Sequence, residues 1–335
     1  MNGEEAVAGI LVGDIGGTKT TLAALSARRI PRDLLAIETF PSGEFASLEE
    51  IVARFLAGND RVFDRAVFGI AGPARGGKVR TTNLPWIVEE DRLAKTFGFS
   101  SVRLINDLEA MAYGVPHLEP SELLVLNHGK PLEGGAMAVI APGTGLGEAF
   151  LVWDGMRYRP HPSEGGHADF APKTLLEREL SVYLNETFGH VSYERVCSGP
   201  GISHIYDFLK ENGYGDEPSW LSPQLADAGD AAPVITSAAL DDARPCELCV
   251  KVLDEFVSIL GAEAGNLALK VLAMGGVYLG GGIVPRILPF LRRAVFMRSF
   301  RDKGRYTDLM DRIPVYVILA PGVALLGAAS AALEP

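Results

Sequence analysis

Short apolar blocks separated by glycine-rich turns set the pattern of the first third of the chain. Ile10–Val12 runs into a turn built on Gly13, Gly16 and Gly17, and a second apolar run leaves it, so residues 10–25 predict a β-hairpin. Leu48, Ile51, Val52, Phe55 and Leu56 recur at helical spacing within Ser47–Ala57. Ala66–Ile70 reads as a short strand ending in Ala71-Gly72-Pro73, and Val102–Ile105 as another. Leu108–Tyr113 opens a helix after Asn106-Asp107, and Val115-Pro116-His117 breaks it.

The opening pattern then returns. Ala136–Ile140 is an apolar strand, Ala141–Gly147 a glycine turn and Ala149–Trp153 a second strand. A helical segment of about residues 246–273 leads to the strand Val277–Leu279 and a third glycine turn, Gly280-Gly281-Gly282. Pro321-Gly322 starts a closing helix over about 321–333, with Val323, Leu325, Leu326 and Ala329 on its apolar face. Two copies of one hairpin unit predict two similar α/β domains facing a nucleotide. The breaks place a small domain at residues 1–117 plus 320–335 and a large one at 118–319.

Composition narrows the function. The 335 residues suffice for two domains, and 47% apolar content supplies large cores. A net charge of −11 argues against a nucleic-acid surface. Met1–Glu5 carries acid where a signal peptide needs base, and Ala332–Pro335 holds no recognisable targeting signal. Lys251, Asp254, Glu255, Glu263 and Lys270 interrupt the longest apolar stretch, which is therefore no membrane span. Three cysteines, Cys197, Cys246 and Cys249, point to a reducing compartment, the cytoplasm. Cys246-x-x-Cys249 is half of a zinc site or, the favoured reading, a pair of helix cysteines.

Several polar groups stand where chemistry is possible. The first glycine turn is either an ordinary hairpin with a surface Asp14 or a phosphate cradle whose backbone N–H groups meet an anion. In the second case Asp14 needs a cation between itself and phosphate, with Thr18, Lys19 and Thr20 adding donors. The spacing fits neither a Walker A loop nor a dinucleotide fingerprint. Asn106 and Glu109 fit a helix capping box. By the same geometry Asp107, at a strand end on a helix N-terminus, could serve as a general base. Glu164 and His167 flank two glycines and could converge on a polyhydroxylated ligand; a metal set of His161, Glu164 and His167 is a weaker alternative. Glu194 could equally be a first-turn glutamate of a helix.

Taken in order, these segments resemble the bacterial glucokinase family. They are Val12–Thr18, Ile105-Asn106-Asp107, Ala141–Gly147, Glu164–Pro172, Glu194–Gly201 and Gly280–Arg286, and the likeness runs from Val12 to about Gly327. The branch resembled lacks the zinc-cysteine signature of the repressor, open-reading-frame and kinase (ROK) group. The resemblance implies an α/β fold of the actin-like ATPase (ribonuclease H-like) type, with duplicated domains about a nucleotide and sugar cleft. It implies transfer of the γ-phosphoryl group of ATP to the 6-hydroxyl of glucose, with Asp107 as general base. It assigns Asn106, Asp107, Glu164, His167 and Glu194 to glucose. It assigns Gly13, Asp14, Ile15, Gly16, Gly17, Thr18, Gly143, Thr144, Gly145 and Gly281 to the nucleotide, with Asp14 holding Mg²⁺ through water. By analogy with the family the chain could form a homodimer. Lys19 departs from the family, which often has Asn there. A kinase for another hexose and a non-catalytic actin-like nucleotide switch are the rival readings; a sugar-sensing repressor would need a basic helix-turn-helix extension.

Overall fold

The structure, a computed structural model, describes residues 9–26, 30–72, 76–81 and 84–334. The readings that fall on Met1–Glu5, Pro73 and Pro335 lie outside these residues. The chain divides into two compact units. One comprises Met1–Glu122, Arg157–Pro162 and Ala320–Pro335; the other comprises Leu123–Met156 and Ser163–Leu319.

In the first unit, β1 (Gly9–Ile15) and β2 (Lys19–Leu25) form the expected antiparallel hairpin, and β3 (Leu34–Pro41) extends it at the edge. After α1 (Leu48–Ala57), β4 (Phe63–Ile70) pairs parallel with β1. A small pair, β5 (Lys78–Arg80) and β6 (Ile87–Glu89), and helix α2 (Glu90–Phe97) precede β7 (Ser101–Asn106) and α3 (Asp107–Gly114). The sheet order is β3-β2-β1-β4-β7. Alternation along β1 sorts its side chains. Leu11 and Ile15 pack with Leu48, Ile51, Phe55 and Phe68 on one face. Ile10 and Val12 pack on the other with Ala110 and Tyr113 of α3 and with Leu325 and Ala328 of the closing helix, Val323–Ala332.

The second unit repeats the scheme. It contains β8 (Leu123–Asn127), β9 (Met137–Pro142) and β10 (Leu146–Trp153). All but the last residue of β11 (Tyr158–Ser163) counts with the first unit. Later come β12 (Gly276–Leu279) and β13 (Val315–Ile318), giving the order β10-β9-β12-β13-β8. The run β10-β9-β12-β13 matches β2-β1-β4-β7: an antiparallel hairpin followed by parallel strands. The sequence turn drawn over Ala141–Gly147 is shorter in the structure. Leu146 pairs with Pro142 and Gly147 with Ala141, so only Gly143–Gly145 lie outside the strands.

Helices α4 (Leu175–Phe188) and α5 (Gly199–Glu211) are fixed by side-chain caps. Thr174 and Glu177 form a capping box on α4, and Ser198 accepts from Gly201 N at the start of α5. The long helix, Glu247–Val271, buries Phe256, Leu260 and Leu267 in the unit's core. Cys246 and Cys249 are free, buried thiols at its start, as helix cysteines should be. No helix among the described residues is long and apolar enough to cross a membrane.

The closing helix approaches α3 at backbone contact. A Cβ on Gly327 would lie 1.6 Å from Ala110 O, and one on Gly114 would lie 2.3 Å from Val323 O. Alanine has the better helix propensity by about 1 kcal/mol, yet overpacking at such a contact costs roughly 1–3 kcal/mol or more. Gly327→Ala should therefore unfold at lower temperature than wild type. A variant as heat-stable as wild type would contradict this packing.

Candidate active site

Chain geometry gathers the first group of predicted residues. Asp14 shares its face of β1 with Ile10 and Val12, the face that α3 covers, and α3 begins at Asp107 directly after β7. Both carboxylates are half-buried. Burial, and then the nearby charge of Asp107, push the Asp14 carboxyl up to about 6, while Lys19 acts in the opposite direction. Lys19 is exposed and lies just past the turn. Burial also raises Asp107, against the backbone N–H donors of Leu108 and Asp107 itself and the Asn106 side chain.

Asn106 and Asp107 both accept from the Leu108 N–H in the first turn of α3. Asn106 caps α3, its Oδ1 accepting from Leu108 N at 2.9 Å, and its Nδ2 donates to Gly72 O at 3.1 Å. Asp107 Oδ1 accepts from Leu108 N at 3.0 Å.

The first glycine turn is closed by its own backbone. Gly16 N–H closes the turn onto Lys19 O at 3.0 Å. Gly13 is bare because a Cβ there would lie 2.7 Å from Leu22 Cδ2 and 2.8 Å from Phe68 Cδ1. Ile15 turns its side chain into the core, and Thr18 is exposed. A buried hydroxyl pair braces this turn, so Thr20, expected as a donor to the ligand, turns inward to Ser42, which the sequence reading did not single out. Ser42 Oγ donates to Gly16 O at 2.8 Å and lies 3.0 Å from Thr20 Oγ1.

The second unit joins a further set. Glu194 Oε2 accepts from Leu146 N at 3.0 Å, and its Oε1 lies 3.9 Å from His167 Nδ1. Glu194 reaches Leu146 only because Gly145 has no side chain; a Cβ there would sit 2.4 Å from Glu194 Oε2. Gly143 is bound at both its groups, N–H to Gly145 O and O to Gly199 N, each 2.8 Å. Thr144 is exposed at the tip of that turn. Gly281, at φ 84°, presses on the same strand end, with a Cβ position 2.4 Å from Pro142 O. Glu164 and His167 bracket a turn of 3₁₀ helix, Gly165–His167, and both are exposed. Glu194 itself lies in a short 3₁₀ turn, Tyr193–Arg195, not in a first α-helical turn. Among the described residues no group of three His, Cys, Asp or Glu is placed to hold a metal ion, so His161, Glu164 and His167 do not form a metal set.

Sequence reasoning missed Glu148, which is buried on β10 behind Gly165. An acid at an inward strand position between Leu146 and Ala149 was the available signal.

The sequence model of the glucokinase family matches residues 11–335. The glucokinase of Nostoc punctiforme is 40% identical over 339 residues, covering 96% of this chain and 97% of its own. Among solved structures, a glucokinase from an Antarctic psychrotroph superposes with a TM-score of 0.83 at 34% identity, over 96% of this chain and 98% of that one. A ROK family glucokinase from Streptomyces griseus, solved in complex with glucose and AMPPNP, matches at a TM-score of 0.61 and 20% identity, over 96% and 98%. The mixed α/β sheets of the two units are thus those of the sugar kinases, the actin-like ATPase fold.

The raised Asp14 has a thermodynamic consequence. Its ionisation opposes folding; the penalty is absent below its ordinary value of 3.8 and complete above about 6. At one pKa unit per 1.36 kcal/mol, the penalty is at most about 3 kcal/mol. In the absence of ligands, Asp14→Asn should be more stable than wild type at neutral pH, and the gain should shrink as pH falls towards 4. Denaturation midpoints across that range test this; a gain independent of pH would refute it.

Proposed function

Because the chain belongs to the glucokinase family, we propose that it transfers the γ-phosphoryl group of ATP to the 6-hydroxyl of glucose, giving glucose 6-phosphate and ADP. The observation that carries this reading is Asp107, a half-buried carboxylate raised by burial and set beside the Asn106 cap at the end of β7. A base whose pKa is raised toward the working pH takes a proton more effectively while staying ionised.

Asn106, Glu164, His167 and Glu194 bind the sugar hydroxyls and leave the 6-hydroxyl to Asp107. That oxygen gives its proton to Asp107 and attacks the γ-phosphorus in line; the bond from phosphorus to the bridging oxygen breaks, and ADP carries away the electron pair. Gly13–Thr18, Gly143–Gly145 and Gly281 shape the chain around the nucleotide. Asp14 would hold Mg²⁺ through water. The residues fit: a half-buried carboxylate with a second acid nearby is an oxygen-rich, anionic place with little positive charge of its own. When bound, the ion offsets charge on the phosphates. Three free thiols suit a reducing compartment, and we place the enzyme in the cytoplasm.

Sugar-dependent ADP formation should be followed with glucose, fructose, mannose and N-acetylglucosamine, wild type beside Asp107→Asn, with glucose 6-phosphate as the second product measured for glucose. Glucose should be the preferred acceptor, and the variant should lose about 10²–10⁴ in kcat with ATP binding retained. Wild-type activity should fall on the acid side as Asp107 takes up a proton above the ordinary carboxylate range. ATP hydrolysis that needs no sugar and survives Asp107→Asn would replace this reading with a nucleotide switch.

A further inference from the structure

Behind Glu164–His167 the second unit buries a pair of acids that the reaction above does not use. Glu148 on β10 is 1% exposed and Glu263 on the long helix 0%. The charge of Glu263 bears on Glu148, and the burial of two such carboxyl groups favours keeping a proton on one of them. Glu263 is well supplied with donors: its Oε2 accepts from Asn266 Nδ2 at 2.8 Å and its Oε1 from Lys270 Nζ at 3.3 Å. Glu148 Oε1 has no hydrogen-bond partner. The proton therefore belongs on Glu148, which burial, then the charge of Glu263, pushes up to about 8 against the pull of Lys270.

The other oxygen of Glu148 meets the substrate segment. A Cβ on Gly165 would fall 1.9 Å from Glu148 Oε2, so the carboxyl fills the space a side chain would take. The network continues to the second sugar segment. Asn266 Nδ2, which holds Glu263, lies 2.9 Å from the Tyr193 hydroxyl, and Tyr193 N–H donates to Ala168 O at 3.0 Å. Tyr193 immediately precedes Glu194. Lys303 Nζ anchors Asn266 Oδ1 at 2.6 Å.

We propose that Glu148 is a positioning residue for glucose: as the neutral partner of Glu263 it supports the backbone at Gly165 and so sets the places of Glu164 and His167. This rests on the glucose kinase reading. The titratable groups of this network are Glu263 and Lys270 on the long helix, Lys303, Tyr193 and Cys197; Glu177 on α4 adds its charge. Ionising Glu148 sets two buried carboxylates against each other, and because Asn266 and Lys270 hold Glu263, the displacement falls on Glu148 and its contact with Gly165.

Kinetics across about pH 6.5 to 9.5 test this in wild type, Glu148→Gln and Glu263→Gln. Glutamine has the shape of the neutral acid and cannot ionise. Wild-type KM for glucose should rise about tenfold per pH unit above the ionisation of Glu148, with KM for ATP flat. Glu148→Gln should keep the neutral-pH KM within a few-fold and abolish the rise. Glu263→Gln, by removing a neighbouring negative charge and leaving Lys270, should move the rise to lower pH. Infrared difference spectra should show a protonated carboxyl that titrates with the same midpoint in wild type and vanishes in Glu148→Gln. If that variant does not fold, the shift of both the KM rise and the infrared midpoint in Glu263→Gln decides the matter. An alkaline rise unmoved in the folded variants, or a tenfold loss in Glu148→Gln at neutral pH, overturns the proposal. Wild type that phosphorylates no glucose at neutral pH overturns the underlying reading with it.

Discussion

Burial of the Asp14 carboxylate, with the charge of Asp107 adding to it, is the constraint that the polar end of the first unit carries. Two short-range rules put both acids there. Alternation along β1 sends Asp14 to the same face as Val12, and α3 covers that face from its first residue onward. Lys19 offsets the tension only partly, because it is exposed and its charge is spread into solvent.

The second unit depends on missing side chains instead. Glu194 stands where a side chain on Gly145 would be, Glu148 where one on Gly165 would be, and the Pro142 carbonyl where one on Gly281 would be. In each case a polar group from a distant stretch of chain occupies the vacated volume. The glycines of these turns thus serve two ends. They allow unusual backbone paths, as at Gly281, and they admit carboxylates that fix the turn against its neighbours.

Much of the fold was legible because apolar periodicity is local. The two hairpins, α1, β4, β7, the long helix and the closing helix all stand close to where the spacing of Ile, Leu, Val and Phe put them. The edge strand β3 was not legible: of its side chains only Phe40 is buried, so no alternation marked it. Gly147 looked like a turn residue because glycine favours turns, yet ladder pairing with Ala141 makes it strand, and Glu148, which neither the expected turn nor the expected strand took in, pairs with Ile140. Asn106 and Asp107 offered a cap and a base to one reading; the structure gives the cap to Asn106. Glu263 was visible only as a charge that interrupts an apolar stretch. Its partner is on another element, and no local pattern reports a contact so far along the chain.

The closing helix has a consequence for the order in which the protein acquires structure. Ile10, Val12, Ala23 and Val67 find their cover in residues Ala324 to Ala332, made after the whole of the second unit. At a synthesis rate of about 5–20 residues per second, the stretch from Leu123 to Leu319 takes roughly 10–40 s to emerge. Through that interval the face of the first sheet that α3 covers still lacks the closing helix, while the second unit can already condense. The N-terminal part of the chain, up to Glu122, is therefore the last to mature, and a chaperone acting on this protein would meet β1, β2 and β4 as its natural client surface.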